Sequence, residues 1–433
     1  MMGARRAAWN ALTAWLRAGP AKGRLGGRKR PFPPPGLEGR EAAFARRLAE
    51  GTVRRFGSLE AVLGKLARKG RPRPEGLFAA LLLGAHELLF ERAAPHAAVS
   101  EAVELARLAA GKGGAGFANA LLRRLAREPE LRLWLEEPGP GAPVGTLAAW
   151  HSLPPPLVER WLEAFGGERA RALFECANLS PHQGLRVRRG RIEAEALGEC
   201  LASEGFETSP GPHPGTLVLP AGTGRGSLLG TRAFAEGLFS LQDPASTEIA
   251  DTLQAEPGHR VLDLCAAPGG KTLAIAERLD GKGAVYAYDK SPARLEGLPR
   301  EAARLGLDGI LVLAGEEGLA ELRVAAPFDR ILVDAPCTNT GVLARRAEAR
   351  WRFSASFLRA QTETQRRLLE QALSLLAPGG RCVYATCSLE IEENEDLARA
   401  LVLPPDVELL SAERLLPEPS LRDGSGIAIF RKS

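Results

Sequence analysis

The chain has 433 residues, 45% of them hydrophobic, and a formal net charge of +5. That length predicts two to four domains with real cores, and no window nears eighteen uninterrupted apolar residues, which excludes a helical membrane span. The charge is uneven: residues 1–140 hold 25 Lys+Arg against 13 Asp+Glu, a net of +12, and the remainder holds 32 against 39, a net of −7. Such a balance suits a basic module joined to a mildly acidic enzyme that acts on a polyanion.

The first 37 residues carry no acid and many arginines, but they lack serine and run on into a helical pattern, so they read as folded chain and not as a targeting segment. Residues 1–137 predict an all-α bundle, with apolar residues at three- and four-residue spacing over Ala42–Val53, Gly76–Phe90, His96–Ala110 and Gly116–Ala126. Pro and Gly runs at 18–37 and 70–75 separate them, and Pro138-Gly139-Pro140-Gly141-Ala142-Pro143 predicts a linker. From about 150 to 235 the pattern is a small α+β module: helices over Leu157–Phe165, Glu168–Ala177 and Glu193–Glu204, with strands at Leu185–Arg188 and Thr216–Leu219. From 240 onward, strands at 260–264, 284–289, 309–313, 328–333 and 381–386 alternate with helices near 271–279, 292–305, 356–376 and 391–401. This alternation predicts a mostly parallel, doubly wound α/β sheet, with Gly426–Phe430 closing it as an edge strand. The expected domains are 1–140, 150–235 and 236–433.

Six cysteines with no CxxC pair exclude a disulfide framework or zinc site, and a reducing cytosol is the default compartment. None of the histidines (86, 96, 151, 182, 213, 259) pairs at metal spacing, so no metal is expected, and His96 is expected to pack or cap inside the bundle. Cys176, Cys200 and Cys382 read as small core hydrophobes, and packing is also the better reading for Cys265.

Two other cysteines end short β-branched runs, where open α/β sheets place ligands: Asp334-Ala335-Pro336-Cys337 follows Ile331-Leu332-Val333, and Tyr384-Ala385-Thr386-Cys387-Ser388 follows the turn Pro378-Gly379-Gly380. A third strand end, Asp263-Leu264-Cys265-Ala266-Ala267-Pro268-Gly269-Gly270-Lys271-Thr272, has the form of a nucleotide-cofactor loop. It is not a phosphate-cradling P-loop, because Cys265 stands where that motif needs glycine, and GxGxxG is absent as well. Asp289, twenty residues beyond Gly269, ends the second strand where a carboxylate can bind a ribose diol. A phosphate-free nucleoside cofactor, S-adenosylmethionine, fits best.

Asp263–Thr272, Asp334–Cys337 and Tyr384–Ser388 resemble the cofactor, fourth and sixth motifs of the NOL1/NOP2/Sun family of RNA 5-methylcytosine methyltransferases. Phe239–Ser246 resembles the segment entering that catalytic domain, and Leu185-Arg186-Val187 resembles its RNA-recognition-like insert, with Arg188 where the family usually has Asn. Arg46–Thr52, Gly84–Phe90, Pro95–Val99 and Gly116–Arg123 look like a NusB-type RNA-binding bundle. That fusion is the layout of the bacterial branch acting on 16S ribosomal RNA, and it implies cytosine 967 as target.

The resemblance implies a Rossmann-like class I methyltransferase domain, a cytoplasmic monomer, and free 16S rRNA or an early small-subunit precursor as partner. It implies a cofactor site made of Cys265, Ala266, Ala267, Pro268, Gly269, Gly270, Lys271, Asp289, Arg294, Glu316 and Asp334, where the family has an Asp in place of Glu316 and Glu317 stands beside it. It further implies Cys387 as nucleophile at cytosine C6, Cys337 as the release residue, Asp334 at N3 and Lys271 near O2; the residues alone do not separate the two thiols. A thiolate adding to C6 makes C5 nucleophilic, which splits one hard step into easier ones. Arg345, Arg346, Arg350 and Arg352 with Trp351 predict phosphate contacts and stacking beside a flipped nucleotide. The rival readings are a DNA cytosine-5 methyltransferase with Cys337 as nucleophile, a non-catalytic RNA-assembly factor, and a relative with a different target cytosine.

Overall fold

The helix Glu75–Leu89 is apolar on every side and buried from Gly76 to Leu88, as a central helix must be. A computed structural model describes every residue except 1, 24, 26–31, 35, 68, 69, 92, 129–137, 140 and 224. In it the chain forms two units, Met1–Leu179 with Leu343–Ser354, and Ser180–Val342 with Ala355–Ser433. No helix among the described residues is long and apolar enough to cross a membrane.

In the first unit, Met2–Ala18, Gly39–Arg54, Phe56–Leu66 and Pro95–Arg127 surround that central helix. The helix Met2–Ala18, not expected as a separate element, hides behind small residues: Ala4, Ala8 and Leu12 are fully buried. Arg5 fixes it through a buried ion pair to Glu87 at 2.7 Å. The helices expected over His96–Ala110 and Gly116–Ala126 are one element broken where Gly111 takes φ +63°. The predicted helical stretch over 129–137 lies outside the described residues. His96 is exposed, which corrects the expectation for it; in the central helix His86 is buried.

The helices Val144–His151 and Pro155–Cys176 also belong to this unit, which runs to Leu179. Ser58 Oγ donates to Trp150 O at 3.0 Å and Gly57 N donates to Ser152 Oγ at 2.9 Å, tying them to the helix Phe56–Leu66. Gly166 (φ +74°) kinks the second helix between the two stretches expected there.

The second unit contains, among the described residues, a four-stranded antiparallel sheet in the order β2-β3-β1-β4 and a seven-stranded sheet in the order β10-β11-β9-β8-β5-β6-β7. The strands are β1 (Gln183–Val187), β2 (Ser209–Pro210), β3 (Thr216–Leu219), β4 (Phe239–Leu241), β5 (Arg260–Asp263), β6 (Ala284–Asp289), β7 (Ile310–Ala314), β8 (Phe328–Asp334), β9 (Leu376–Thr386), β10 (Val407–Leu415) and β11 (Ser425–Lys432). Five neighbouring strands of the large sheet, β9 to β7, run parallel. The order reverses between β5 and β8, which opens a crevice at their carboxyl ends. Gly426–Phe430 is not the edge strand expected: β11 pairs antiparallel to both β9 and β10. The edge strand β10 escaped detection because a bulge between Leu409 and Ser411 breaks its alternation.

Candidate active site

Every cofactor-loop residue hangs from the end of β5. Asp263 is buried there and accepts a hydrogen bond from Thr272 Oγ1 at 2.7 Å. Burial, reinforced by Asp334, outweighs that bond and pushes its carboxyl up to about 7. Ala266 N donates to Tyr288 O at 2.8 Å, laying Cys265–Pro268 against β6. Gly269 then turns into the helix Gly270–Leu279 with φ +113°, and a Cβ there would sit 2.6 Å from Leu298 Cδ1. Glycine is therefore required twice over at this position.

Asp289, at the end of β6, is 4% exposed. Its Oδ1 accepts from Ser291 N at 2.9 Å and its Oδ2 from Arg294 Nη1 at 3.0 Å, while Arg294 Nη2 donates to Ala267 O. A carboxylate offers about four acceptor directions, so capacity for a ribose diol remains. Glu316 follows β7 with its side chain exposed. Burial first, then Cys265, Asp289 and Glu316 raise the Tyr288 hydroxyl, which donates to Gly315 O, next to Glu316, at 3.2 Å. This bare Gly-Gly turn, with a buried carboxylate opposite it, fits a nucleoside cofactor without phosphates.

Lys271 and Asp334 bring the β5 and β8 edges together, with Nζ to Oδ2 at 2.7 Å. Burial alone would lower the Lys271 ammonium, but Asp334, helped by Cys387 and Asp263, holds it above the ordinary lysine value. The Asp334 side chain stays 32% exposed.

Cys337 and Cys387 converge at the ends of β8 and β9, where Asp334 faces Ala385, and their sulfurs lie 3.1 Å apart. Cys337 is buried, and its thiol is pushed well up by the hydrogen bond to Cys387, then by burial, then by the charges of Cys387 and Glu393. Cys387 is half-buried and donates to Asn339 Oδ1 at 3.5 Å. Burial and three surrounding aspartates push the Cys265 thiol up, and Cys382 lies in the core. Cys176 is buried, whereas Cys200 is exposed, so the expectation that Cys200 packs in a core is corrected.

Two supports were not visible in the sequence. Asn339 adopts φ +64°, which Asn tolerates, and its Nδ2 donates to Cys337 O at 2.6 Å. Glu393 is fully buried and receives Thr338 N at 3.0 Å and Gln365 Nε2 at 2.8 Å, clamping the residue after Cys337. The turn-prone Asn339-Thr340-Gly341 was a usable signal for the first; Glu393 sat in an acidic run that reads as solvated surface.

The arginine-rich segment departs from expectation. Arg350 is fully buried in the first unit and donates to Arg54 O, Ser152 O, Ala177 O, Leu343 O and Asn178 Oδ1. Trp351 Nε1 donates to Val53 O at 3.0 Å, and its ring packs edge-on against Phe56. An arginine so enclosed is a structural tie and not a phosphate contact, and Trp351 is held inward as well. Arg345 and Arg352 are half-buried, and Arg346 is exposed.

The 16S rRNA methyltransferase RsmB/F family matches residues 250–420, and the NusB family matches residues 2–127. A probable ribosomal RNA small subunit methyltransferase B of Bacillus subtilis is 33% identical over 87% of this chain and 84% of its own length. A ribosomal RNA small subunit methyltransferase B of Pseudomonas syringae is 34% identical over 84% of this chain and 80% of its own. A solved methyltransferase homologue from Pyrococcus horikoshii is 29% identical with a TM-score of 0.56, covering 66% of this chain and 98% of that one.

Proposed function

The chain belongs to the 16S rRNA methyltransferase RsmB/F family, and we propose that it methylates cytosine C5, at position 967 of 16S ribosomal RNA, through a transient bond between Cys387 and C6. The observation that carries this reading is the pair of sulfurs 3.1 Å apart beside the Lys271–Asp334 pair. The cofactor of this family, S-adenosylmethionine, supplies the electrophilic methyl group when bound. Asp289 would hold its ribose, and the bare backbone of Cys265–Gly270 would lie along it.

Cys387 adds to C6 as the thiolate, and the C5–C6 π electrons move into the ring. The Lys271–Asp334 pair is the hydrogen-bonding partner for N3 as charge builds there. After methylation, C5 carries both hydrogen and methyl. Release then needs loss of the C5 proton and return of the C6–S pair to Cys387.

The geometry supports one order of events. Two thiolates 3.1 Å apart would repel by roughly 5 kcal/mol at an effective dielectric near 20, so the pair holds one charge at a time. Cys387, which is the more exposed, takes it first, and Cys337 stays a thiol. Once Cys387 is a thioether, the largest influence holding up Cys337 is gone. Cys337 can then ionise and take the C5 proton.

The basic N-terminal bundle supplies sequence-independent phosphate attraction, and free 16S rRNA or an early small-subunit precursor is the substrate. Bisulfite mapping of 16S rRNA from cells with and without the gene tests the proposal. The expected result is loss of one protected cytosine, at 967; an unchanged pattern overturns it.

A further inference from the structure

One dipeptide holds the neighbours of both cysteines. Glu393 and Asn394 are buried between the turn Ile391–Glu393 and the helix Glu395–Ala400. Glu393 Oε1 accepts from Thr338 N at 3.0 Å and from Gln365 Nε2 at 2.8 Å, and its Oε2 accepts from Thr338 Oγ1. Gln365 Nε2 gives its other hydrogen to Pro336 O at 2.8 Å. Pro336 and Thr338, on either side of Cys337, are therefore fixed to one carboxylate–amide pair. Tyr384 Oη, on β9, donates to Glu393 O at 2.7 Å and holds the clamp in place.

Asn394 does the same for Cys387. Its Oδ1 accepts from Thr386 Oγ1 at 2.6 Å, and its Nδ2 donates to Ser388 O at 3.1 Å and to Glu390 O at 2.8 Å. Carbonyl oxygens only accept, so the amide nitrogen has to face them. The slot for this side chain exists because Gly426, opposite Thr386 on β11, has none of its own: a Cβ there would overlap Asn394 Oδ1. The two clamps meet one residue past each sulfur, where Thr338 Oγ1 and Ser388 Oγ lie 3.0 Å apart. A buried polar network whose members are paired in this way rigidifies what it holds.

We infer that Glu393 and Asn394 are positioning residues for the paired thiols: as neighbours in one turn they set the spacing of Cys337 and Cys387. With it they set the step in which one sulfur leaves C6 while the other takes the C5 proton. That step tolerates little misplacement, since reacting groups held an ångström off lose much of their rate. The role in release rests on the C5 reading; the control of spacing does not.

The test treats the full chain, without substrate, with diamide. This azo oxidant takes two electrons and two protons from the thiol pair and becomes the hydrazine as the Cys337–Cys387 disulfide forms. Peptide mass spectrometry gives the rate at a temperature where the variants compared are folded, and kcat and KM on 16S rRNA are measured beside it. Glu393→Ala and Asn394→Ala should each slow disulfide formation about tenfold, the weight of a lost buried hydrogen bond, and lower kcat without changing KM for S-adenosylmethionine. Leu201→Ala, an equally buried core substitution under the small sheet, should leave the disulfide rate as in the wild type. Glu393→Gln keeps an acceptor for Thr338 N and should rescue both readouts. Asn394→Asp sets a carboxylate against two carbonyl oxygens and should rescue neither. These two isosteric variants carry the test if the alanine variants do not fold. A wild-type disulfide rate in Glu393→Ala, Asn394→Ala or Asn394→Asp overturns the inference, as do equal slowing in Leu201→Ala, no rescue by Glu393→Gln, or slowed disulfide formation with wild-type kcat. Failure of the C5 reading would show in the wild type, as no methylated cytosine, and would leave the disulfide comparison standing.

Discussion

The sulfurs of Cys337 and Cys387 meet at 3.1 Å although fifty residues separate them. Parallel pairing of β8 with β9 sets Asp334 opposite Ala385, so the third residue past one and the second past the other reach the same spot. Their closeness makes Cys387 the main influence on the Cys337 thiol. In a Cys387→Ala protein, Cys337 should ionise more readily, since its hydrogen bond to Cys387 is the largest cause of its raised pKa. Peptide mass spectrometry should show faster alkylation of Cys337 by iodoacetamide at pH 8 than in the wild type. Equal or slower alkylation would mean that burial alone controls Cys337.

Asp289 is the ribose partner in this account. Asp289→Ala removes a buried carboxylate and should weaken S-adenosylmethionine binding by roughly 1.5–3 kcal/mol, about tenfold to a hundredfold. Calorimetry returning the wild-type affinity would remove Asp289 from the site.

Asp263 gives a pH signature. Its folded pKa, about 7, lies above the ordinary carboxyl value of 3.8, so the folded state holds the proton more tightly. The group costs nothing below about pH 4, and stability is lost as pH rises from there to about 7. The full penalty, on the order of 4 kcal/mol, applies above that. Asp263→Asn keeps an acceptor for Thr272 and cannot ionise. It should unfold at a higher temperature than wild type at pH 8, with the gap narrowing as the pH approaches 4. A pH-independent gap would contradict the shifted carboxyl.

Much of this was legible in advance. The strand ends carrying Asp263, Asp289, Asp334 and Cys337 were readable because parallel strands buried on both faces are continuous apolar runs. Gly111 and Gly166 marked helix breaks, because a positive φ is what glycine permits. Partners that meet across the fold were not legible. Glu393 stands in an acidic run, yet it clamps Thr338 from fifty-five residues away. Arg350 read as a surface cation because its acceptors, Arg54 O, Ser152 O and Ala177 O, are backbone carbonyls that no residue pattern announces.

Arg350→Ala should therefore act on stability. It leaves five acceptors without their donor and opens a cavity, a loss of about 3–5 kcal/mol by analogy with other broken buried charge contacts. Denaturant unfolding is the measurement. An Arg350→Ala protein with wild-type stability and weakened RNA binding would return Arg350 to the RNA surface.

The central claim is that Cys387 bonds to the base and Cys337 breaks that bond. Cys337→Ala, incubated with 16S rRNA and S-adenosylmethionine, digested with nuclease and protease, and analysed by mass spectrometry, tests it most directly. The account predicts a methylated cytidine attached to the peptide that contains Cys387, and no adduct in the Cys387→Ala protein. An adduct in Cys387→Ala but not in Cys337→Ala would exchange the two roles, and no adduct in either, with methylation intact, would contradict covalent catalysis.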